Sequence, residues 1–172
     1  MLTISGSLRA HATTTAVLAT AAQLDVTPTV AFAGMAALPH FNPDDDGHHP
    51  AVAHLRDALG RADAVLLSTP EYAGGLPGSF KNLLDWTVGD ARPGSIYRKP
   101  VAWLNVSARG AVAAHDSLRR VLGYVGAEIV NPACIEVPVT SAMVGDDGLI
   151  TDASVASRFA GALTLLTDAC AP

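Results

Sequence analysis

The 172-residue sequence predicts a three-layer α/β domain in which five parallel strands, in the order 2-1-3-4-5, are doubly wound between helices. Three observations lead there. Short β-prone runs alternate with helical segments along the whole chain, the pattern that strand–helix–strand units leave in a sequence. The third and fourth runs, residues 64–69 and 101–107, are almost continuously apolar, as strands covered on both faces of a parallel sheet must be. Residues 70–86 leave the third run through an aromatic, paired glycines and a proline before entering an amphipathic helix. A turn of that composition serves close backbone approach, which glycine alone allows cheaply.

The elements follow in order. Residues 2–5 form a β-prone run that stops at Gly6 and Ser7, and the Ala/Leu/Val-rich residues 14–24 read as a helix. Residues 27–32 give a second strand; the Pro/Asp/Gly/His stretch 39–50 is a loop, and a helix follows over 51–61. The third strand, 64–69, leads to a helix over 77–88, and the fourth, 101–107, to a helix over 112–125. Residues 128–137 supply the fifth strand, a Gly/Asp turn lies at 145–148, and residues 153–169 close the chain as a helix. With five strands the flavodoxin-like order is expected, its switch point setting the first and third strand ends beside one crevice. No internal repeat or low-complexity linker divides the chain, so a single domain over residues 1–172 is expected.

Composition narrows the function. Eleven Lys and Arg against sixteen Asp and Glu give a net charge of −5, with the basic residues scattered, so no nucleic-acid partner is expected. No apolar run approaches the roughly 20 residues of a membrane span, and no basic segment precedes an apolar one after Met1. A soluble, cytoplasmic protein with no membrane contact is the expectation. Cys134 and Cys170 make no Cys-x-x-Cys pair and read as reduced, structural thiols. The sequon Asn105-Val106-Ser107 falls at a strand end and is discounted. Asp44, Asp45, Asp46, His48 and His49 lie in a Pro- and Gly-bounded stretch and read as a solvated turn rather than a metal site. His54 and His115 are helix histidines with no nucleophile partner in view.

That topology brings three loops to neighbouring strand ends. The first carries Ser7, Arg9, Thr13 and Thr14 just ahead of a helix, where free amides and the helix dipole favour a phosphate and Arg9 adds a charge-assisted contact. Two readings are open there: Ser7 and Thr14 as phosphate ligands or as helix caps, Arg9 as a ligand or a surface charge. The second loop is Pro70, Glu71, Tyr72, Ala73, Gly74 and Gly75, with the Tyr72 ring placed to meet a flat heterocycle. The third holds Ser107, Arg109 and Gly110, Arg109 being either a ligand contact or a plain loop charge. Other motifs fail on spacing. Lys81 lies three residues beyond Gly78, too far for a P-loop; no Gly-x-Gly-x-x-Gly follows the first strand, and no Gly-x-Ser-x-Gly occurs.

Gly6-Ser7-Leu8-Arg9 after the first strand, with Pro70-Glu71-Tyr72 through Asp85-Trp86 after the third, resembles the NADPH-dependent FMN reductase family over nearly the whole chain. The segments 38–44 and around Ser107 also fall where that family has comparable loops. The resemblance implies FMN with its phosphate in the loop from Ser7 to Thr14 and its ring along Pro70 to Gly75, with NADPH stacking on the exposed face. It implies hydride transfer to FMN and then to a small electron acceptor: a quinone, azo compound, metal oxyanion or free flavin. It further implies a homodimer, a tetramer being compatible, with residues near Lys81 to Trp86 close to the subunit contact; burial against the sheet accounts equally for Leu83, Leu84 and Trp86. Three positions depart from the family pattern: Ala12 and Thr14 stand for a Ser and an Asn of the phosphate loop, and Ala73 for an Asn after the Pro-Glu-Tyr triplet. These departures keep two rivals open, a flavodoxin-like FMN electron carrier and a relative that has lost flavin and acts as a binding protein.

Overall fold

Strand β1, Leu2–Ser5, lies inside the sheet and pairs in parallel with β2, Val30–Ala31, on one side and β3, Val65–Ser68, on the other. β3 continues to β4, Pro100–Asn105, and β4 to β5, Glu128–Ile129, so the order 2-1-3-4-5 is observed. This computed structural model describes residues 1–45, 48–88 and 95–171. Parallel neighbours need long crossovers, and these are the helices α1 (Thr13–Ala22), α2 (Pro50–Gly60), α3 (Gly78–Asp85) and α4 (Val112–Tyr124). A last helix, α5 (Ala153–Asp168), is capped by the Asp152 carboxylate, which accepts from the Ser154 and Val155 amides.

Strand alternation divides the core into two. Leu2, Ile4, Val65, Leu67, Val101 and Trp103 pack with Leu55 of α2, Leu84 of α3 and Leu118 of α4 on one face. Leu66, Ala102 and Leu104 pack with Val17 of α1 and Phe159 and Leu163 of α5 on the other. Each residue of β3 is buried, as its unbroken apolar run requires. At ~1.5–3 kcal/mol for each large side chain removed from water, these two layers are the main force holding the sheet between its helices.

The strand edges depart from the sequence reading. Residues 27–32 were expected as one strand, yet only Val30–Ala31 pairs: Pro28 has no amide to donate, and the ladder begins where Val30 donates to the Met1 carbonyl at 3.0 Å. The expected fifth strand over 128–137 is broken by a 3₁₀ turn at Asn131–Ala133 that contains Pro132. Its second half returns to β4 as β6, Ile135–Glu136. Val101 faces Ile129 and Leu104 faces Ile135, so this edge uses six residues where β4 uses three. Proline cannot sustain a ladder, and the extra residues form the 3₁₀ turn, whose Ala133 is buried in the core beside α5.

Leu83, Leu84 and Trp86 are at most 3% exposed, so burial within the chain accounts for all three. α3 also pins the loop before α2. Asn82 and the Trp86 indole both donate to the Pro39 carbonyl at 2.9 Å, and the Asn82 carbonyl accepts from the Phe41 amide at 2.8 Å. In the acidic turn His49 and Asp45 bond to each other at 2.8 Å, while Asp46 lies outside the described residues. Among the described residues no group of three or more His, Cys, Asp or Glu side chains could hold a metal, and no helix is long and apolar enough to cross a membrane.

Candidate functional site

The carboxyl ends of β1, β3 and β4 stand side by side, and each emits one loop. At the first, Gly6 runs hard against the end of β3: its amide donates to the Ser68 carbonyl at 2.7 Å, and a Cβ there would lie 2.4 Å from Thr69 Oγ1. No side chain fits that contact. The hydroxyls beyond it bond to one another. Ser5 Oγ accepts from Thr15 Oγ1 at 3.0 Å and lies 3.1 Å from Thr14 Oγ1, and Ser7 Oγ accepts from the Arg9 amide at 3.2 Å. The N-cap of α1 is Ala12, in extended conformation and with no side-chain hydrogen bond. Ser7 and Thr14 are therefore not its caps, and the first-turn amides of α1 have no side-chain acceptor, the condition in which a helix N-terminus takes an anion.

The second loop is a two-residue hairpin. Tyr72 and Gly75 exchange both backbone hydrogen bonds, at 3.0 and 3.1 Å, around Ala73 at φ 48° and Gly74 at φ 73°. Two successive positive φ values define a type I′ turn. The Tyr72 side chain stays 46% exposed on it. Gly75 and Gly78 carry no positive φ, and a Cβ on either would meet no atom within 4 Å. Nothing in the chain's own packing asks for glycine at these two places.

Asn105, which the sequence reading met only as part of a sequon, organises the third loop. Its amide donates to the Gly110 carbonyl at 2.6 Å, and its oxygen accepts from the Ser107 amide at 3.2 Å. Ser107 Oγ in turn accepts from the Arg109 amide at 3.2 Å. The signal was a lone amide side chain ending an apolar strand. Gly110 and Ala111 both take positive φ, 83° and 46°, and Ala111 is the N-cap of α4 without a capping side chain. The missing acceptor comes from the second loop: Glu71 Oε2 accepts from the Ala114 amide at 3.0 Å. His115 also braces this turn, its Nδ1 lying 2.9 Å from the Ala111 carbonyl, and burial holds its pKa below the ordinary 6.5. The ring is thus neutral at pH 7, with Nδ1–H as the donor.

The structure brings Thr13, Thr14, Pro70, Glu71, Ser107 and Arg109 onto one cavity of about 350 Å³, completed by Thr69, Val106, Ala108, Ala111 and Val139. Ser7 and Arg9 line a neighbouring groove of about 310 Å³ between α1 and the ends of β1 and β2. Tyr72, Ala73, Gly74 and Gly75 form the hairpin beside the cavity, and with Gly110 they line neither space.

This sheet order, with loops of small, polar and glycine residues gathered at the switch point, defines a flavodoxin-like α/β protein built to hold a ligand there. The family model of NADPH-dependent FMN reductase matches residues 1–140, which include all three loops, and the chain belongs to that family of NAD(P)H-dependent flavin oxidoreductases. It is 35% identical over 150 residues, 83% of this chain and 78% of the other, to an NAD(P)H-dependent FMN reductase of Pseudomonas aeruginosa. Over 108 residues it is 32% identical to a 2-hydroxy-1,4-benzoquinone reductase of a Burkholderia species, a match spanning 58% of this chain and 56% of that one. The solved structure of FerB, a flavoenzyme NAD(P)H:(acceptor) oxidoreductase from Paracoccus denitrificans, superposes with a TM-score of 0.75 at 28% identity, covering 97% of this chain and 94% of that one.

Proposed function

We propose that residues 1–172 form one FMN-binding domain that passes a hydride from NAD(P)H to a small acceptor of the quinone type, acting as a cytoplasmic homodimer. The observation that carries the reading is the pairing of an uncapped α1 N-terminus with the cavity walled by the second and third loops. The FMN phosphate fits the first: the amides of Thr13 and Thr14 and the loop hydroxyls supply donors, and Arg9 supplies charge. The flavin ring fits the second, with the Tyr72 ring and the backbone of 73–75 along it, while Arg109 and Ser107 offer polar contacts at the other wall. Bound there, FMN supplies the two-electron chemistry that joins a reduced nicotinamide to the acceptor. The protein's own part is to align the rings, and no acid–base triad is needed. Ala12 offers no hydroxyl to the phosphate, so the backbone amides carry more of the contact.

FMN titration of apo-protein, followed by NADPH and NADH oxidation at saturating FMN with and without a benzoquinone, tests this. Saturable binding with acceptor-dependent turnover is expected. Binding without nicotinamide oxidation would make the protein an electron carrier, and no binding would overturn the reading.

A further inference from the structure

We infer that Glu71 is a positioning residue: by capping α4 at Ala114 it latches the hairpin loop to the 107–111 loop, and the affinity of the crevice for its ligand depends on that latch. The ligand part rests on the FMN reading above; the latch rests on the structure alone.

A helix begins with amides that lack intrahelical partners, and a side chain at the N-cap ordinarily satisfies the one at the third helical position. In α4 that position is Ala114, and the N-cap, Ala111, has no side chain to offer. Its left-handed backbone, φ 46°, follows Gly110 at φ 83°, so the chain enters the helix through two left-handed residues, of which Ala111 bears the Cβ strain. No acidic residue stands in the first turn. Glu71 fills the gap from 43 positions away in sequence, with Oε2 at 3.0 Å from the Ala114 amide. A carboxylate at this end also meets the positive pole of the helix dipole. Ala114 is 0% exposed while Glu71, itself exposed, lines the cavity above it, so removing the carboxylate takes away the amide's partner and opens it to the cavity.

Both ends of the latch are held. Pro70 restricts the backbone before Glu71, and Tyr72 after it has its amide and carbonyl committed to Gly75. On the other side Asn105 ties down Ser107 and Gly110, and His115 ties down Ala111. Glu71 is the strut between two braced loops, and Glu71, Ser107, Arg109 and Ala111 line the same cavity. A carboxylate occupied in this way sets the distance between the hairpin and the Arg109 wall rather than reaching for the ligand.

The test compares wild type, Glu71→Gln and Glu71→Ala. Glutamine keeps an acceptor oxygen without the charge, and alanine removes both. Hydrogen exchange at the Ala114 amide, read by NMR on apo-protein, should quicken at least about tenfold in Glu71→Ala and less in Glu71→Gln. The FMN dissociation constant should rise in the same order, by roughly tenfold for alanine. Unchanged Ala114 exchange in Glu71→Ala would overturn the latch. Faster exchange with unchanged FMN affinity would overturn the coupling, leaving a local cap only. Slow exchange in Glu71→Gln combined with the full loss of FMN affinity would place the carboxylate on the ligand, again overturning the inference. If wild type itself binds no FMN, the proposed function fails, and the exchange arm alone decides whether Glu71 joins the loops.

Discussion

Ala73 shows how one residue can oppose the turn it occupies. A type I′ hairpin needs positive φ at both central positions, which favours Asn-Gly, and this chain supplies Ala-Gly. Alanine at φ 48° brings Cβ against the backbone, and the side chain gives no polar compensation. Ala73→Asn is therefore expected to stabilise the protein by about 0.5–1 kcal/mol, read as a higher urea midpoint with unchanged slope. A midpoint equal to or below wild type would mean that the turn carries no such strain. The sequence showed that position 73 departs from the family pattern; the backbone dihedral gives that departure a conformational meaning. Glu71 is similar. Its membership of the second loop was legible, while its carboxylate's bond to a helix 43 residues on was not, because no local pattern encodes a cap lent by another loop.

At the scale of elements, α4 depends on groups that its own sequence does not advertise. Its helical span was predicted within a residue of that observed, Val112–Tyr124, since hydrophobic periodicity is a local signal. Its start is different: Ala111 cannot cap, and Glu71 and His115 hold the first turn together. His115 gives this turn a pH dependence. Burial pushes its pKa down from 6.5, against the opposing pull of its bond to the Ala111 carbonyl and of the Glu136, Glu71 and Asp116 charges. The folded state then binds fewer protons than the unfolded state once pH falls below about 6.5, so folding stability declines through that window and is complete above it. Wild type should lose stability relative to His115→Gln between pH 7.5 and 5.5, measured by urea denaturation at each pH. Parallel profiles would show that His115 is free to protonate in place. The fifth strand teaches the complementary lesson. Residues 128–137 are β-prone throughout, and Pro132 was the visible warning, yet only the register against β4 shows the strand resuming after the turn.

At the scale of the whole molecule, two buried layers on one sheet leave the carboxyl edge as the place where loops meet. Leu8, Tyr72 and Val112, the last at the start of α4, stay exposed there, at 56%, 46% and 66%. The homodimer proposed above predicts twice the chain mass by sedimentation velocity at micromolar concentration; a monomer would mean that one chain completes the site. What the sequence by itself determined is the alternation of elements, the parallel sheet and its order, and the three loops that converge, because periodicity, apolar runs and glycine turns are properties of neighbouring residues. The family followed from the same motifs. Only the tertiary structure decided which hydroxyls bond to each other, that α1 is uncapped, that Asn105 shapes the third loop and that Glu71 caps α4. Those are contacts between residues tens of positions apart, set by where the sheet delivers each strand end, and a side chain's partner there depends on geometry that no short stretch of sequence contains.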